Sequence, residues 1–493
     1  MAKSPHDTQW KTLDKDLNRI SQVEYATAHV ARPLVAPGVA LAFMVVAGLA
    51  AAVFFGQTPM NFIVVVAAVF GAYMALNIGA NDVANNMAPA VGANALTMGG
   101  AIAIAAVCES AGALLAGGDV VSTISKGIID PAGVSEQATF IWAMMAALLS
   151  AALWINLATW VGAPVSTTHS VVGGVMGAGI AAAGLAAVNW PTMGAIAASW
   201  VISPVLGGVI AAAFLAFIKT YIIYRDDKIA AARRWVPVLV AIMAGAFAAY
   251  LALKGLKRIV HIDISVALLI GAAAGLVTWA TTRPLIRRQS EGMENRNKSL
   301  KTLFSLPLIL SAALLSFAHG ANDVANAVGP LAAIVHAAQV GMASAKVAIP
   351  FWVMVIGAFG ISFGLFLFGP KLIRMVGSQI TKLNPMRAYC VALSAAITVI
   401  VASWLGLPVS STHIAVGAVF GVGFFREWYA ERRRRNGAGN GNKSKRIAPE
   451  ERRRRKLVRR SHFMTIVAAW VITVPAAALL SGGIFLLMNM IVL

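Results

Sequence analysis

The chain has 493 residues, of which 59% are hydrophobic and only 12% charged, and its mean hydropathy is +0.77. Soluble domains carry about 25% charged residues, so this composition excludes a soluble globular protein, and the continuous apolar runs exclude a transmembrane β-barrel, whose strands alternate. The net charge of +21 does not indicate nucleic acid binding, because 31 of the 40 Lys and Arg residues fall in four polar stretches, 1–33, 219–234, 283–301 and 426–460.

The N-terminal leader, residues 1–33, is polar and has neither the short basic start nor the cleavage site of a secretory signal. An apolar segment at 34–55 follows and is an extra span outside the duplicated part of the chain. Because Lys/Arg-rich loops stay on the cytoplasmic side, the N-terminus and all four basic stretches are predicted to be cytoplasmic. The basic runs 432–435 and 452–456 are read as topology determinants that also offer contacts to the lipid bilayer.

The next apolar segment, 60–86, contains the polar heptad Gly-Ala-Asn-Asp-Val-Ala-Asn at residues 79–85. A carboxylate in hydrocarbon costs several kcal/mol unless it is paired or solvated. Asn81 and Asn85 share one helical face, with Asp82 one residue round. Their amide and carboxylate oxygens form a cage suited to Na⁺. The alternative is that these groups only hydrogen-bond helices together.

A lone membrane carboxylate, Glu109, lies in the apolar segment 96–116. Its neighbourhood in the second half of the chain is aligned with residues 357–360, which carry no acid. An acid that breaks the internal symmetry suggests a role with a cation or proton rather than in scaffolding.

After the segment 137–161, the motif Pro-Val-Ser-Thr-Thr-His occupies residues 164–169 and opens the segment 164–184. The expectation is that Pro164 stands at the first helical position. Ser166, Thr167 and Thr168 then lie in the first turn, where free backbone N–H groups and the helix dipole favour an anion. Alternatively, these hydroxyls only cap the helix. His169 either bonds substrate, relays a proton or orients the motif, or is a structural histidine.

Both motifs recur after the segments 191–218, 236–253 and 261–281. The heptad is repeated without change at 320–326, in the segment 304–328, and 408–413 reads Pro-Val-Ser-Ser-Thr-His. The spacing from the first motif to the second is 85 residues in one half and 88 in the other. The residues of interest in the second copies are Asn322, Asp323, Asn326, Pro408, Ser410, Ser411, Thr412 and His413.

The remaining apolar segments are 344–370, 385–404, 408–425 and 463–491. With a cytoplasmic N-terminus and every segment crossing, the two heptads run through the membrane in opposite directions. The sequence therefore predicts an all-α polytopic membrane protein of about 12 to 13 apolar segments, with two inverted-topology repeats of about five spans each and half-helices at the central site. The predicted organisation is a leader at 1–33, an extra span at 34–55, repeat 1 at 60–218, a joining region with two spans at 219–303, and repeat 2 at 304–491 with the basic insertion 426–460.

Carboxylates beside an anion site require a counter-charge. Asp82 and Asp323 repel a dianion unless cations lie between them, and bound Na⁺ supplies that charge, so that anion and cation binding become mutually dependent, as symport requires. A carboxylate can also accept a hydrogen bond from a protonated oxyanion. Monohydrogen phosphate carries that proton at neutral pH and sulfate does not, which favours phosphate.

The doubled heptad and the two Pro-Val-Ser-(Thr/Ser)-Thr-His motifs resemble the inorganic phosphate transporter (PiT) family of Na⁺- or H⁺-coupled symporters, over about 60–218 and 304–491. The resemblance implies inverted repeats, a homodimer in some members, and substrate contacts from both motifs. The phosphate-binding residues implied are Asn85, Asn326, Ser166, Thr167, Thr168, Ser410, Ser411 and Thr412. The cation-binding residues are Asn81, Asp82, Asn322 and Asp323, with Asp82 and Asp323 as the Na⁺ ligands. The candidates for coupling are Glu109, His169 and His413.

The predicted function is that of a multi-pass carrier of the cytoplasmic membrane that imports inorganic phosphate by cation symport, with Na⁺ preferred over H⁺ and no cofactor beyond the coupling ion. The two halves are expected to give alternating access. Sulfate uptake and proton-coupled metal-phosphate transport on the same scaffold are the alternatives within this class. A membrane hydrolase using Ser166 or Ser410 is disfavoured, because no glycine-flanked nucleophile turn is present. A passive anion channel leaves the paired acids unexplained.

Overall fold

The computed structural model describes residues 34–56, 60–129, 134, 136–161, 165–255, 262–340, 349–379, 383–438 and 460–492. Eleven helices in this part of the chain are long and apolar enough to cross a membrane. The chain is thus an all-helical polytopic membrane protein, as its hydropathy predicts.

The helices of the first half are α1 (Leu34–Phe55), α2 (Asn61–Asn81), α3 (Val83–Gly92), α4 (Met98–Ala116), α5 (Gly118–Lys126), α6 (Gln137–Val161), α7 (Thr167–Ala183) and α8 (Trp190–Ile218). A π-helical turn, Lys219–Ile223, extends α8. The joining region forms α9 (Lys228–Lys254), α10 (Ile264–Gln289) and α11 (Asn297–Leu303). The second half forms α12 (Ser305–Val340), α13 (Phe351–Gln379), α14 (Pro385–Trp404), α15 (Ser411–Ala438) and α16 (Arg460–Val492).

Two of the predicted apolar segments are not among the eleven membrane-crossing helices of the described residues. Both begin at the second motif and correspond to α7 and α15. Helix α7 has 17 residues, so it rises about 26 Å, less than the roughly 30 Å of a bilayer's hydrocarbon core. Its first residues are buried in the protein. At this length α7 falls only a few ångströms short of the hydrocarbon core, so half-helices at the central site stay a prediction.

The two copies of the heptad adopt different helix boundaries. In the first copy Asp82 separates α2 from α3, whereas the second copy lies inside the continuous helix α12. The glycines that begin the heptads allow close packing. A Cβ on Gly79 would stand 1.9 Å from the carbonyl oxygen of Ile361, and one on Gly320 would stand 2.1 Å from that of Glu109.

The two halves pack against each other reciprocally. Helix α4 packs on α12 while α13 packs on α2, and α16 packs on α7 while α8 packs on α15. The register agrees as well, since Gly112 approaches the backbone of Phe317 and Gly364 approaches that of Leu76. Contacts exchanged in this way are those of two halves related by a two-fold axis.

This register corrects one expectation from the sequence. Glu109 contacts Gly320 in the way that Ile361 contacts Gly79. The counterpart of Glu109 is therefore Ile361 and not a residue in 357–360. Small apolar residues recur throughout this segment, so the sequence does not define the register between the two halves. The glycine contacts do define it.

Three of the four basic stretches meet at one end of the helical bundle. The backbone N–H of Lys228 donates to Asn295 Oδ1 at 2.9 Å, and Arg233 Nε donates to Ser290 Oγ at 2.6 Å. Tyr224 stacks on Tyr429, with ring centroids 5.6 Å apart. This agrees with the prediction that 219–234, 283–301 and the start of 426–460 lie on one side of the membrane. The leader 1–33 lies outside the described residues.

Candidate functional site

Helices α7 and α15 both begin at a capping serine of the second motif. Ser166 Oγ accepts a hydrogen bond from the backbone N–H of His169 at 3.2 Å, and Ser410 Oγ accepts one from that of His413 at 3.3 Å. The expectation that a proline occupies the first helical position is wrong for Pro408, which lies two residues before the cap, and Pro164 is outside the described residues. A serine oxygen can satisfy a free N–H of the first turn, which fixes the helix start at the serine.

The two capped helix ends face each other across the halves. Thr168 Oγ1, in the first turn of α7, donates to the carbonyl oxygen of Val409 at 3.0 Å, just before α15. The rings of His169 and His413 are in contact, with centroids 4.4 Å apart. Two N-terminal helix ends, each with free N–H groups and a partial positive charge, thus converge on one buried region.

The two duplicated carboxylates lie between these helix ends. Thr167 Oγ1 is 2.6 Å from Asp82 Oδ2 and 3.3 Å from Asp323 Oδ2. Ligand atoms of Asp82, Asp323 and His319 all lie within 4.8 Å of one another. Two ionised carboxylates at such a distance, 4.8 Å, repel by about 3.5 kcal/mol at an effective dielectric constant near 20. The pair therefore requires either a proton on one carboxylate or positive charge close by.

The amides that close each heptad connect the two halves. Asn85 Nδ2 donates to Thr412 Oγ1 at 2.9 Å, and Asn326 Nδ2 lies 3.2 Å from Thr168 Oγ1 and 3.3 Å from Thr167 Oγ1. Thr412 Oγ1 is also 3.3 Å from Asp82 Oδ1. The first motif of each half thus contacts the second motif of the other half, and amide and hydroxyl donors converge at the carboxylates.

Asn81 and Asn322 occupy equivalent positions, and each hydrogen-bonds to the segment that precedes a capped helix. Asn322 Nδ2 donates to Ser403 Oγ at 3.0 Å, and its Oδ1 accepts from the backbone N–H of Val409 at 3.2 Å. With the amide oriented to satisfy both its ends, Asn81 accepts from Thr159 Oγ1 at 2.8 Å and donates to the carbonyl oxygen of Val165 at 3.3 Å. These contacts fix the segment before each capped helix. A cation-binding role for the two residues stays a prediction.

A further site residue, His319, was not recognised in the sequence. Its Nδ1 is 2.6 Å from Glu109 Oε2, its Nε2 is 3.2 Å from Asp323 Oδ2, and Asn86 Nδ2 donates to Glu109 Oε1 at 2.9 Å. The side chains of Glu109 and His319 have no solvent exposure. Glu109 is therefore linked to the central carboxylates through an imidazole.

This series of hydrogen-bonding side chains, from Asn86 through Glu109 to His319, has no counterpart related to it by the internal symmetry. The positions equivalent to His319, Asn86 and Glu109 are the apolar residues Ile78, Ala327 and Ile361. The available signal was a histidine directly before the second heptad, where the first copy has isoleucine. Because the two copies differ at this position, residue identity between them does not identify His319.

The structure places the predicted site residues together in the interior, each at most 5% exposed. The two motif histidines differ from the rest in their surroundings. The ring of His169 lies 3.9 Å from that of Trp200, and both His169 and His413 line an apolar cavity. Their part in coupling stays a prediction.

Several known proteins, all of them assigned as phosphate permeases or transporters, are similar to this chain. The model of the phosphate transporter family matches residues 78–481. A protein of Helicobacter pylori J99 assigned as a phosphate permease is 52% identical over 415 residues, covering 84% of this chain and 78% of its own. One of Pyrococcus abyssi with the same assignment is 39% identical, covering 73% of this chain and 88% of its own.

A solved structure has the same fold. It is that of a sodium-dependent phosphate transporter, is 36% identical in sequence, and superposes with a TM-score of 0.79. The match covers 87% of this chain and 100% of the other. These relatives are transport proteins and not enzymes.

Proposed function

Because this chain belongs to the phosphate transporter family, we propose that it imports inorganic phosphate by symport with a cation, with Na⁺ preferred over H⁺. The single observation that carries this proposal is the buried pair Asp82 and Asp323, held at 4.8 Å or less between two opposed helix N-termini. The arrangement offers a place for an anion beside a place for a cation.

The phosphate is bound by donors from both halves. The first turns of α7 and α15 provide backbone N–H groups and a positive dipole end, which together favour a phosphate group. The hydroxyls of Thr167, Thr168 and Thr412 and the amides of Asn85 and Asn326 converge on the same region. Asp82 or Asp323 accepts a hydrogen bond from the protonated oxygen of monohydrogen phosphate, and this selects phosphate over sulfate.

The cation neutralises the two carboxylates. Without it, their mutual repulsion and that of the incoming anion oppose phosphate binding. Each ligand therefore favours binding of the other, which is the thermodynamic requirement for symport. The Na⁺ preference is supported by the sodium-dependent relative of the same fold. The contacts of Glu109, His319 and Asp323 support proton coupling as the alternative.

Alternating access follows from the relation between the halves. The exchanged contacts of α4 with α12 and of α13 with α2 support a two-fold relation, and the distribution of basic loops supports opposite orientations in the membrane. Two such halves can exchange conformations, which opens the site first to one side of the membrane and then to the other. In this arrangement the N-terminus is cytoplasmic and the protein resides in the cell membrane.

Uptake of labelled phosphate into proteoliposomes tests the proposal. A Na⁺ gradient, a K⁺ gradient and a pH gradient are imposed separately, and we expect accumulation against the phosphate gradient only with Na⁺. Accumulation with the pH gradient alone would establish proton coupling instead. Flux that ignores every cation gradient would indicate a passive channel. Competition by unlabelled sulfate as strong as that by phosphate would indicate a sulfate carrier.

A further inference from the structure

A large apolar cavity lies between α8, α15 and α16, beside the central site. Its volume is about 1090 Å³, slightly above the roughly 300–1,000 Å³ of small-molecule pockets. Val201, Val205 and Val209 of α8 line one wall and are each more than 60% exposed. Because exposed valines on a membrane-spanning helix face hydrocarbon, the cavity opens sideways towards the lipid.

Two of the three helices around the cavity pack closely on each other. Helices α8 and α15 are already in backbone contact, and a Cβ on Gly421 would stand 2.1 Å from the carbonyl oxygen of Gly208. On the far side, α16 contributes Val471 and Pro475. The lining is almost entirely apolar, so a molecule that fills this space must itself present an apolar surface.

One end of the cavity carries a cationic and aromatic rim. Trp428 and Phe425 line this end, and the guanidinium carbon of Arg432 lies 5.2 Å from the Trp428 ring centroid. Lys219 Nζ lies 5.3 Å from the Phe425 ring centroid and 4.4 Å from that of Tyr429. Aromatic residues with Lys and Arg at the end of a membrane helix mark the headgroup level, and cations there attract anionic headgroups.

The other end reaches the back of the second motifs. His169 and His413 line it, each directly after a threonine that contacts the central carboxylate region. Trp200, also in the lining, donates from Nε1 to the carbonyl oxygen of Pro408 at 3.2 Å. A molecule in the cavity therefore contacts side chains that adjoin both capped helix ends.

From this placement we propose that the cavity binds an anionic phospholipid, with an acyl chain between α8, α15 and α16 and the phosphate headgroup at Lys219 and Arg432. The apolar walls fit a hydrocarbon chain, and the two cations at the rim fit a negative headgroup at the level where headgroups lie. Charge complementarity selects an anionic lipid over a zwitterionic one. The chain end lies against His169 and His413, behind the proposed phosphate site.

Native mass spectrometry of the purified full-length protein tests this, with phosphatidylglycerol or phosphatidylcholine added as the probe. We expect retained phosphatidylglycerol on the wild-type protein and about ten-fold weaker binding by the double variant Lys219→Gln/Arg432→Gln, since each cation near the membrane surface contributes to anionic lipid binding. Arg283→Gln is the matched control, because Arg283 lies 5.2 Å from the Trp279 ring on α10, in a helix that does not line the cavity.

A second variant tests the chain site without changing charge. Val209→Phe fills the cavity and should reduce bound phosphatidylglycerol, whereas Val277→Phe, on the exposed face of α10, should not. Elution as a single species in size exclusion confirms that each variant folds. Equal retention by the double variant and by Arg283→Gln, or equal binding of the two lipids, would overturn the proposal. So would a second copy of the chain that covers the cavity and excludes lipid.

Discussion

Ser110 and Ser362 are 252 residues apart in the chain, yet the hydroxyl oxygens of these half-buried residues lie 2.7 Å from each other. Each also reaches the opposite helix in the same way: Ser362 Oγ donates to the carbonyl oxygen of Ala106 at 2.9 Å, and Ser110 Oγ lies 3.5 Å from that of Ala358. Equivalent residues can meet only on the axis that relates them. These reciprocal contacts support a pseudo-two-fold relation between the halves, with its axis at the α4–α13 contact.

The glycines that begin the two heptads provide a first test of that symmetry. Gly79→Ala and Gly320→Ala should each destabilise the protein by about 3 kcal/mol or more, because each new methyl group overlaps a backbone carbonyl oxygen of the opposing helix and forces the helices apart. Thermal unfolding in detergent measures the loss. Gly194→Ala is the control, since nothing lies within 4 Å of its Cβ position. A large effect at one of the two heptads alone would contradict equivalent packing.

Removing either central charge should stop coupled transport. Asp82→Asn and Asp323→Asn keep the size and polarity of the side chain, so folding should be retained while Na⁺-driven phosphate uptake is abolished. Uptake is measured in proteoliposomes, with the thermal transition of each variant as the check on folding. Wild-type uptake by either variant would rule out the paired carboxylates as the cation site.

Glu109 and His319 should behave as one functional unit. Because Glu109 Oε2 lies 2.6 Å from His319 Nδ1 with both side chains buried, Glu109→Gln and His319→Gln should each lower uptake strongly, and the double variant should lose little more than either single variant. The measurement is the initial rate of uptake across a series of Na⁺ concentrations.

Cys108→Ala serves as the neighbour control for this pair. Cys108 precedes Glu109 and is half-buried, so uptake should stay near the wild-type rate. Additive losses in the Glu109 and His319 double variant would show that the two side chains act independently.

The basic insertion is predicted to be dispensable for transport. Deleting 436–450 removes part of the predicted cytoplasmic insertion 426–460 and none of the described site residues, so phosphate uptake should be unchanged. Replacing the same residues with a Gly/Ser linker of equal length controls for the spacing between α15 and α16. Uptake lost in both proteins would instead assign the insertion a regulatory role.

The sequence by itself determined the class of protein and most of its helical spans, and it predicted the residues of the duplicated site. A segment that crosses a membrane must satisfy its backbone polar groups internally, so outside a closed barrel it forms a helix. Such a helix needs about 20 apolar residues, and local composition alone reveals them. A carboxylate repeated in two apolar segments is readable for the same reason, since its cost in hydrocarbon is local. Asp82 and Asp323 were therefore visible without a structure.

The tertiary structure alone decided which groups meet. The link from Glu109 through His319 to Asp323 joins α4 to α12, and it exists because Gly320 allows the two backbones to approach closely. The start of α15 at Ser411 and the equivalence of Glu109 and Ile361 in the two halves likewise depend on packing. Contacts between distant segments follow from shape complementarity between helices. Neither a hydropathy pattern nor a repeated motif specifies that complementarity.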